Sequence, residues 1–223
     1  LTVPTGSGLL ANDNDVDSTG LSVTLVDGQA AGSEIVLSSG ALLTVQSNGS
    51  YSYNPNGVFD ANTANSSDTF SYVVSDGTLT DTATVFITVT PINDAPNATN
   101  DIGSTDEGTE LLVEGAAGLL ANDSDVDSTS ITVTSVDGQS VGSEITLSSG
   151  ALLTVQSDGS YSYNPNGVFD ANTADSSDSF SYIVSDGMLT DTAAVTITIT
   201  PLNDPPVAVD DGASTDEDTA LSV

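Results

Sequence analysis

The chain has 223 residues, contains no Lys, Arg, His, Cys or Trp, and carries a formal charge of −32. Without a cation it cannot neutralise nucleic-acid phosphates or anionic lipid headgroups, so nucleic acid is excluded as a partner, as is direct membrane insertion, and the missing cysteine removes disulfides. Catalysis would have to run on carboxylates and tyrosines alone, and no pair of them stands in a motif that suggests it, so the chain reads as non-enzymatic.

The acids themselves are not abundant. Only 14% of the residues are charged, against about 25% in an average protein, so what distinguishes the chain is the absence of bases. No carboxylate can find a salt-bridge partner among the side chains. Each must be hydrated, hydrogen-bonded to backbone N–H, or bound to an external cation. Glu supplies 6 of the 32 acids and Asp the rest, a balance that suits turns and oxygen-ligand cation sites better than helix surfaces.

Taken in order, the chain opens on a short apolar stretch and reaches Leu9-Leu10-Ala11-Asn12-Asp13, then the loop Asp13-x-Asp15-x-Asp17. Residues 21–26, 71–74 and 83–90 are rich in β-branched and aromatic side chains interleaved with Ser and Thr, which predicts half-buried antiparallel strands. Asp27-Gly28, Asn48-Gly49 and Asp76-Gly77 punctuate them as hairpin turns, because such turns need positive φ. Tyr51 and Tyr53 share one strand face and are expected in the core, with sugar stacking as the alternative. Asp60 and Asp68 flank an Asn/Ser-rich loop that offers a further cation site, as do Asp170 and Asp178 later on.

At Thr90-Pro91-Ile92-Asn93-Asp94-Ala95-Pro96 two prolines make a short stiff connector, and the pattern then begins again. Sliding the chain by about 110 residues superimposes Leu119 to Asp123 on Leu9 to Asp13, Tyr161 to Ala174 on Tyr51 to Ala64, and Pro201-Leu202-Asn203-Asp204 on Pro91 to Asp94. Roughly three quarters of aligned positions are identical, so the chain is a tandem repeat of modules the size of a β-sandwich domain. Val195, Ile197 and Ile199 alternate with Thr, as do Phe180, Tyr182 and Val184 with Ser and Ile, as expected of strands with one buried face. Residues 97–114 supply the opening strands of the second module.

The expected organisation is therefore a repeat at 1–91 lacking its opening strand, a complete repeat at 92–201, and at 202–223 the connector and opening strand of a further one. Residues 1–15 have no charged start and no apolar core of a signal peptide, and no apolar run reaches the length of a membrane span, so the chain reads as internal to a longer protein.

These motifs resemble the bacterial cadherin-like and immunoglobulin-like tandem repeats, the VCBS type included, of giant RTX-type surface adhesins. The residues that carry the resemblance are Thr105-Asp106-Glu107-Gly108-Thr109 and Thr215-Asp216-Glu217-Asp218-Thr219, Leu120 to Asp127, Ser157 to Asn166, Asp178 to Gly187, and the Asn-Asp-Ala-Pro connector. The resemblance implies an all-β chain of antiparallel sandwiches, calcium near the module junctions, a place on the bacterial cell surface, and a role as extender or adhesive fibre. One departure is an insertion at residues 33–40 and 143–150.

Candidate calcium ligands come in three sets. Asp13, Asp15 and Asp17, repeated as Asp123, Asp125 and Asp127, place three carboxylates in five residues of loop, without the Gly and Glu of an EF-hand. Asn93 and Asp94, with Asn203 and Asp204, resemble junction ligands. Asp106 and Glu107, with Asp216 and Glu217, fall where the resemblance puts opening-strand ligands. Asp186, in a Ser-Asp-Gly turn, is first a turn former and second a ligand. Expected partners are adjacent repeats, further copies of the chain, and surface or matrix glycans. Two alternatives to the extender remain open at this point: a subunit that polymerises by donating a strand, and a carbohydrate-binding module.

Overall fold

The computed structural model describes residues 1–18 and 20–218. The first repeat contributes β1 (Thr2–Val3), β2 (Ser22–Val26), β3 (Gln29–Ala30), β4 (Glu34–Val36), β5 (Leu42–Val45), β6 (Tyr51–Asn54), β7 (Ser66–Ser75) and β8 (Thr80–Val89). The second contributes β9 (Asp101–Asp106), β10 (Leu111–Val113), β11 (Thr132–Val136), β12 (Gln139–Ser140), β13 (Glu144–Thr146), β14 (Leu152–Val155), β15 (Tyr161–Asn164), β16 (Ser176–Ser185) and β17 (Thr190–Thr200). The only helical elements among the described residues are single 3₁₀ turns such as Leu9–Ala11 and Gly115–Ala117.

Each repeat folds its strands into two sheets, ordered β1-β6-β5-β4 and β3-β2-β7-β8 in the first, and β10-β15-β14-β13 and β12-β11-β16-β17-β9 in the second. The fold is a tandem β-sandwich, as the alternation of apolar and Ser/Thr positions predicts. Hairpins set the register. Asp27 and Gly28 both take positive φ (44° and 79°), the geometry of a two-residue turn matched to strand twist, and connect β2 to β3. The turn at Asp76-Gly77 joins β7 to β8, which then pair without interruption from Ser75 opposite Thr80 to Ser66 opposite Val89. The insertion noted in the sequence forms β4 and β13, which pair antiparallel with β5 and β14 and bury Ile35 and Ile145. It forms the outer strand of the β1-β6-β5-β4 and β10-β15-β14-β13 sheets.

The sheets differ in one respect. In the second repeat β9 runs parallel to β17, from Asp101 opposite Val195 to Asp106 opposite Thr200. The first repeat has no strand in that place among the described residues, and β8 is the last strand of its sheet. The cores register the difference. Val195, Ile197 and Ile199 are 0–1% exposed, whereas Ile87 is 7% exposed and Val85 and Val89 are only half-buried. Gly103 of β9 lies so close over Ile197 and Leu111 that an added Cβ would stand 2.8 Å from Ile197 Cδ1 and 3.2 Å from Leu111 Cδ2.

The core of the first repeat gathers Leu9, Val23, Val26, Leu43, Val45, Tyr53, Phe70 and Tyr72. Tyr51 meets Phe70 edge-on at 6.0 Å, and Tyr161 meets Phe180 in the same way. The tyrosine rings are thus core groups, and with Tyr53, Tyr161 and Tyr163 buried they are not a sugar-stacking surface. By Cα proximity the chain forms one compact unit of Leu1–Thr99, Asn122–Thr134 and Ile183–Thr192, and another of Asn100–Ala121, Ser135–Tyr182 and the described residues from Ala193.

Candidate functional site

The connector after β8 carries donors on its backbone and on Asn93, and the loops of the first compact unit supply the carboxylates that accept from them. Asn93 Nδ2 donates to Asp186 Oδ2 at 2.6 Å, Asp94 N–H to Asp127 Oδ2 at 3.3 Å, Ala98 N–H to Asp191 Oδ2 at 2.9 Å and Thr99 N–H to Asp123 Oδ1 at 2.7 Å. Asn97 and Ser124 exchange backbone hydrogen bonds. Local chemistry places the acceptors. Asp125 Oδ1 takes the N–H groups of Asp127 and Ser128, closing an Asx turn that holds the Asp-rich loop, and Asp186 Oδ1 takes those of Met188 and Leu189 in the hairpin turn before β17.

Two carboxylate oxygens in this cluster, Asp125 Oδ2 and Asp127 Oδ1, are cut off from solvent and have no hydrogen-bond partner. Desolvation first, then the adjacent Asp125 carboxylate, raises the Asp127 carboxyl above the ordinary aspartate value. Asp186 is lowered, chiefly by Asn93 Nδ2 and then by its two turn amides, and Asp191 is lowered chiefly by Ala98 N–H. The cluster thus mixes satisfied carboxylate oxygens with enclosed ones that accept nothing. Among the described residues no group of three or more acids is already spaced around a common point for a metal ion. N–H donors of the connector occupy one oxygen each of Asp123, Asp127, Asp186 and Asp191.

Of the residues singled out by sequence, the fold brings together Asn93, Asp94, Asp123, Asp125, Asp127 and Asp186. Asp191 belongs with them and was missed, although its position five residues after Asp186 is repeated as Asp81 after Asp76. In the first repeat the counterpart acids line an open cavity of about 350 Å³ bounded by Asn12, Asp13, Asp15, Asp76 and Asp81. There Asp15 closes the same Asx turn and is lowered by the Asp17 amide, while Asp17 is raised by its neighbour Asp15. Asp13 accepts from Tyr72 Oη at 2.9–3.0 Å. Asp76 accepts only from its own turn in the described structure.

The second compact unit holds the remaining candidates. Glu107 is buried, its Oε1 accepting Leu202 N–H at 2.7 Å while Oε2 is enclosed without a partner. Asn203 and Asp204 follow it directly in space but are exposed, joined to each other by Asn203 Nδ2 and the Asp204 carbonyl. Asp106, Asp216 and Glu217 are exposed. Asp68 and Asp178 are core groups instead: Asp178 Oδ2 accepts from Ser149 Oγ at 2.6 Å and Tyr163 Oη at 2.9 Å, and Asp68 is held the same way by Ser39 and Tyr53.

Paired sandwiches with a proline-containing connector bedded in aspartates define the class, a tandem cadherin-like module. The model of the bacterial cadherin-like domain matches residues 1–91 and again 93–201, and the chain belongs to that family. The family is one of extracellular-type adhesion and structural modules and is typically non-enzymatic. Similar solved structures include human protocadherin-24 EC1-2, 15% identical with a TM-score of 0.46 over 86% of each chain. Protocadherin gamma C5 EC1-3 is 15% identical with a TM-score of 0.47, covering 84% of this chain and 58% of that one. Drosophila N-cadherin EC1-4 is 14% identical with a TM-score of 0.42, covering 86% of this chain and 43% of that one. A comparison with curated protein sequences gives no match. No helix among the described residues is long and apolar enough to cross a membrane.

Proposed function

We propose that the chain is a structural extender of a bacterial surface adhesin or filament, made of repeats at 1–91 and 92–201, whose connector is stiffened by calcium. The observation that carries this reading is the pair of enclosed, unpartnered oxygens on Asp125 and Asp127 beside the connector. A buried carboxylate oxygen that accepts nothing is costly, and this chain has no side-chain cation to offer it. Calcium takes six to eight oxygens in irregular geometry, which suits clustered aspartates and carbonyls, whereas magnesium demands a regular octahedron and gives up its water reluctantly. Asp123, Asp125, Asp127 and Asp186 would hold the ion with Asp94 and, after its amide turns over, Asn93. Asp13, Asp15 and Asp17 would do so at the first repeat. Glu107, whose Oε2 is likewise enclosed, would serve with Asn203 and Asp204, and Asp106, Asp216 and Glu217 would be drawn in from solvent.

Thermal unfolding of the chain in millimolar calcium, in millimolar magnesium and after chelation tests the reading. Ligation requires a Tm rise of several degrees or more specific to calcium, because a cation that binds only the folded state stabilises by mass action. Equal effects of the two cations, or none, overturn it.

A further inference from the structure

The connector changes character part-way along. Residues 92–95 are loosely held. Ile92 is 82% exposed and Ala95 is exposed, and the backbone N–H of this stretch that finds an acceptor among the described residues is that of Asp94, 3.3 Å from Asp127 Oδ2. Asn93 adds its side-chain amide, shared between Asp186 Oδ2 and the Asp94 carbonyl. From Pro96 onward the chain is seated. Pro96 is buried, and the N–H groups of Asn97, Ala98 and Thr99 find acceptors in succession: the Ser124 carbonyl at 2.7 Å, Asp191 Oδ2 at 2.9 Å and Asp123 Oδ1 at 2.7 Å. Ser124 N–H returns a bond to the Asn97 carbonyl, and Asn122 Nδ2 donates to that of Thr99.

Asp191 stands at the middle of the seated stretch and differs from the acids around Asn93. Its Oδ1 accepts Thr192 N–H at 2.8 Å, the bond that Asp81 makes with Thr82 N–H at the same place in the first repeat, and its Oδ2 accepts Ala98 N–H. Each oxygen thus meets the positive end of a backbone dipole, and hydrogen bonds to an ionised carboxylate are the strong kind. The charge is met without a cation. Asp125 and Asp127, by contrast, each keep an enclosed oxygen that accepts nothing. We infer that Asp191 is a positioning residue and not a cation ligand, that it locks residues 96–99 in place in the ion-free chain, and that the part of the connector whose order depends on calcium is confined to residues 92–95. This deepens the calcium reading and rests on it for residues 92–95 alone. Since β9 begins at Asp101, the strand that pairs with β17 is fed from a fixed start whether or not the ion is bound.

Amide hydrogen exchange, followed residue by residue on the whole chain in millimolar calcium and after chelation, tests the division, because exchange reads local opening. Chelation should strip protection from Asp94 and leave Asn97, Ala98 and Thr99 within about twofold of their calcium-bound protection. Asp191→Ala should cost Ala98 about tenfold in protection, the loss of one charge-assisted bond, and should do so equally with and without calcium. Its calcium affinity, read by calorimetry, should match that of the unaltered chain, whereas Asp186→Ala should weaken calcium about tenfold or more and leave Ala98 protected. Loss of protection across 97–99 on chelation, or a calcium affinity that falls with Asp191→Ala as it does with Asp186→Ala, overturns the inference and leaves the calcium reading intact. The comparison of the unaltered chain with and without the ion decides the matter even where Asp191→Ala folds poorly. A chain that takes up no calcium sinks the calcium reading and the role of residues 92–95 with it; Ala98 protection lost only in Asp191→Ala still upholds the lock.

Discussion

Asp178 and Asp127 answer the same problem in opposite ways. Asp178 is buried and accepts from the hydroxyls of Tyr163 and Ser149, so its charge is met by neutral donors. Asp127 keeps one oxygen that accepts nothing. The first arrangement satisfies the carboxylate within the sandwich, and the second leaves one enclosed oxygen unmet. The tyrosines of the first arrangement have a pH consequence. Burial first, then the hydrogen bond to Asp13, pushes the Tyr72 phenol from 10.0 up to about 12, and burial with Asp68 or Asp178 raises Tyr53 and Tyr163 as well. A folded-state value raised above the unfolded one means that the unfolded chain loses protons first as the pH climbs, so stability is full below pH 10 and drains away from 10 towards 12. Urea midpoints measured from pH 8 upward should fall through that window with tyrosine ionisation tracking unfolding. A flat profile would remove the buried Tyr–Asp pairs from the account.

Strands and turns are where the sequence was most legible. A period of two with Ser or Thr on one face fixed which side of β8, β16 and β17 is buried, and the Asp-Gly and Asn-Gly pairs fixed the hairpins. Three things were hidden. β4 is three residues of Glu-Ile-Val, too short to show alternation. The direction of β9 could not be read, because a side-chain period is the same in parallel and antiparallel strands. The meeting of Asn93 with Asp186, and the arrival of Asp191 beside Ala98, depend on residues 93 positions apart that only the fold brings together. Close packing between turns gives a further test. A Cβ at Gly118 would run into the backbone carbonyl of Gly159, the same carbonyl that accepts Leu119 N–H at 2.9 Å. Gly118→Ala should therefore lower unfolding free energy by roughly 2–3 kcal/mol, since rigid backbone rather than a side-chain tip must move. Chemical denaturation checks it, and a loss under 0.5 kcal/mol would show that the turn gives way easily.

At the scale of the whole chain, a charge of −32 with no base leaves nothing for trypsin-like proteases to cut and makes the folded form sensitive to whatever cation surrounds it. The parallel pairing of β9 with β17 bears on a different property. β9 follows directly on the connector that enters the second repeat, and β17 leads directly into the connector that leaves it. A pull along the chain therefore drags β9 backward and β17 forward, along the strands and across six residue pairs at once. Hydrogen bonds loaded in shear must break together, whereas the β7–β8 hairpin of the first repeat can open one pair at a time. Stretching single molecules should show two unlike events: a weak one for the first repeat and a strong one for the second.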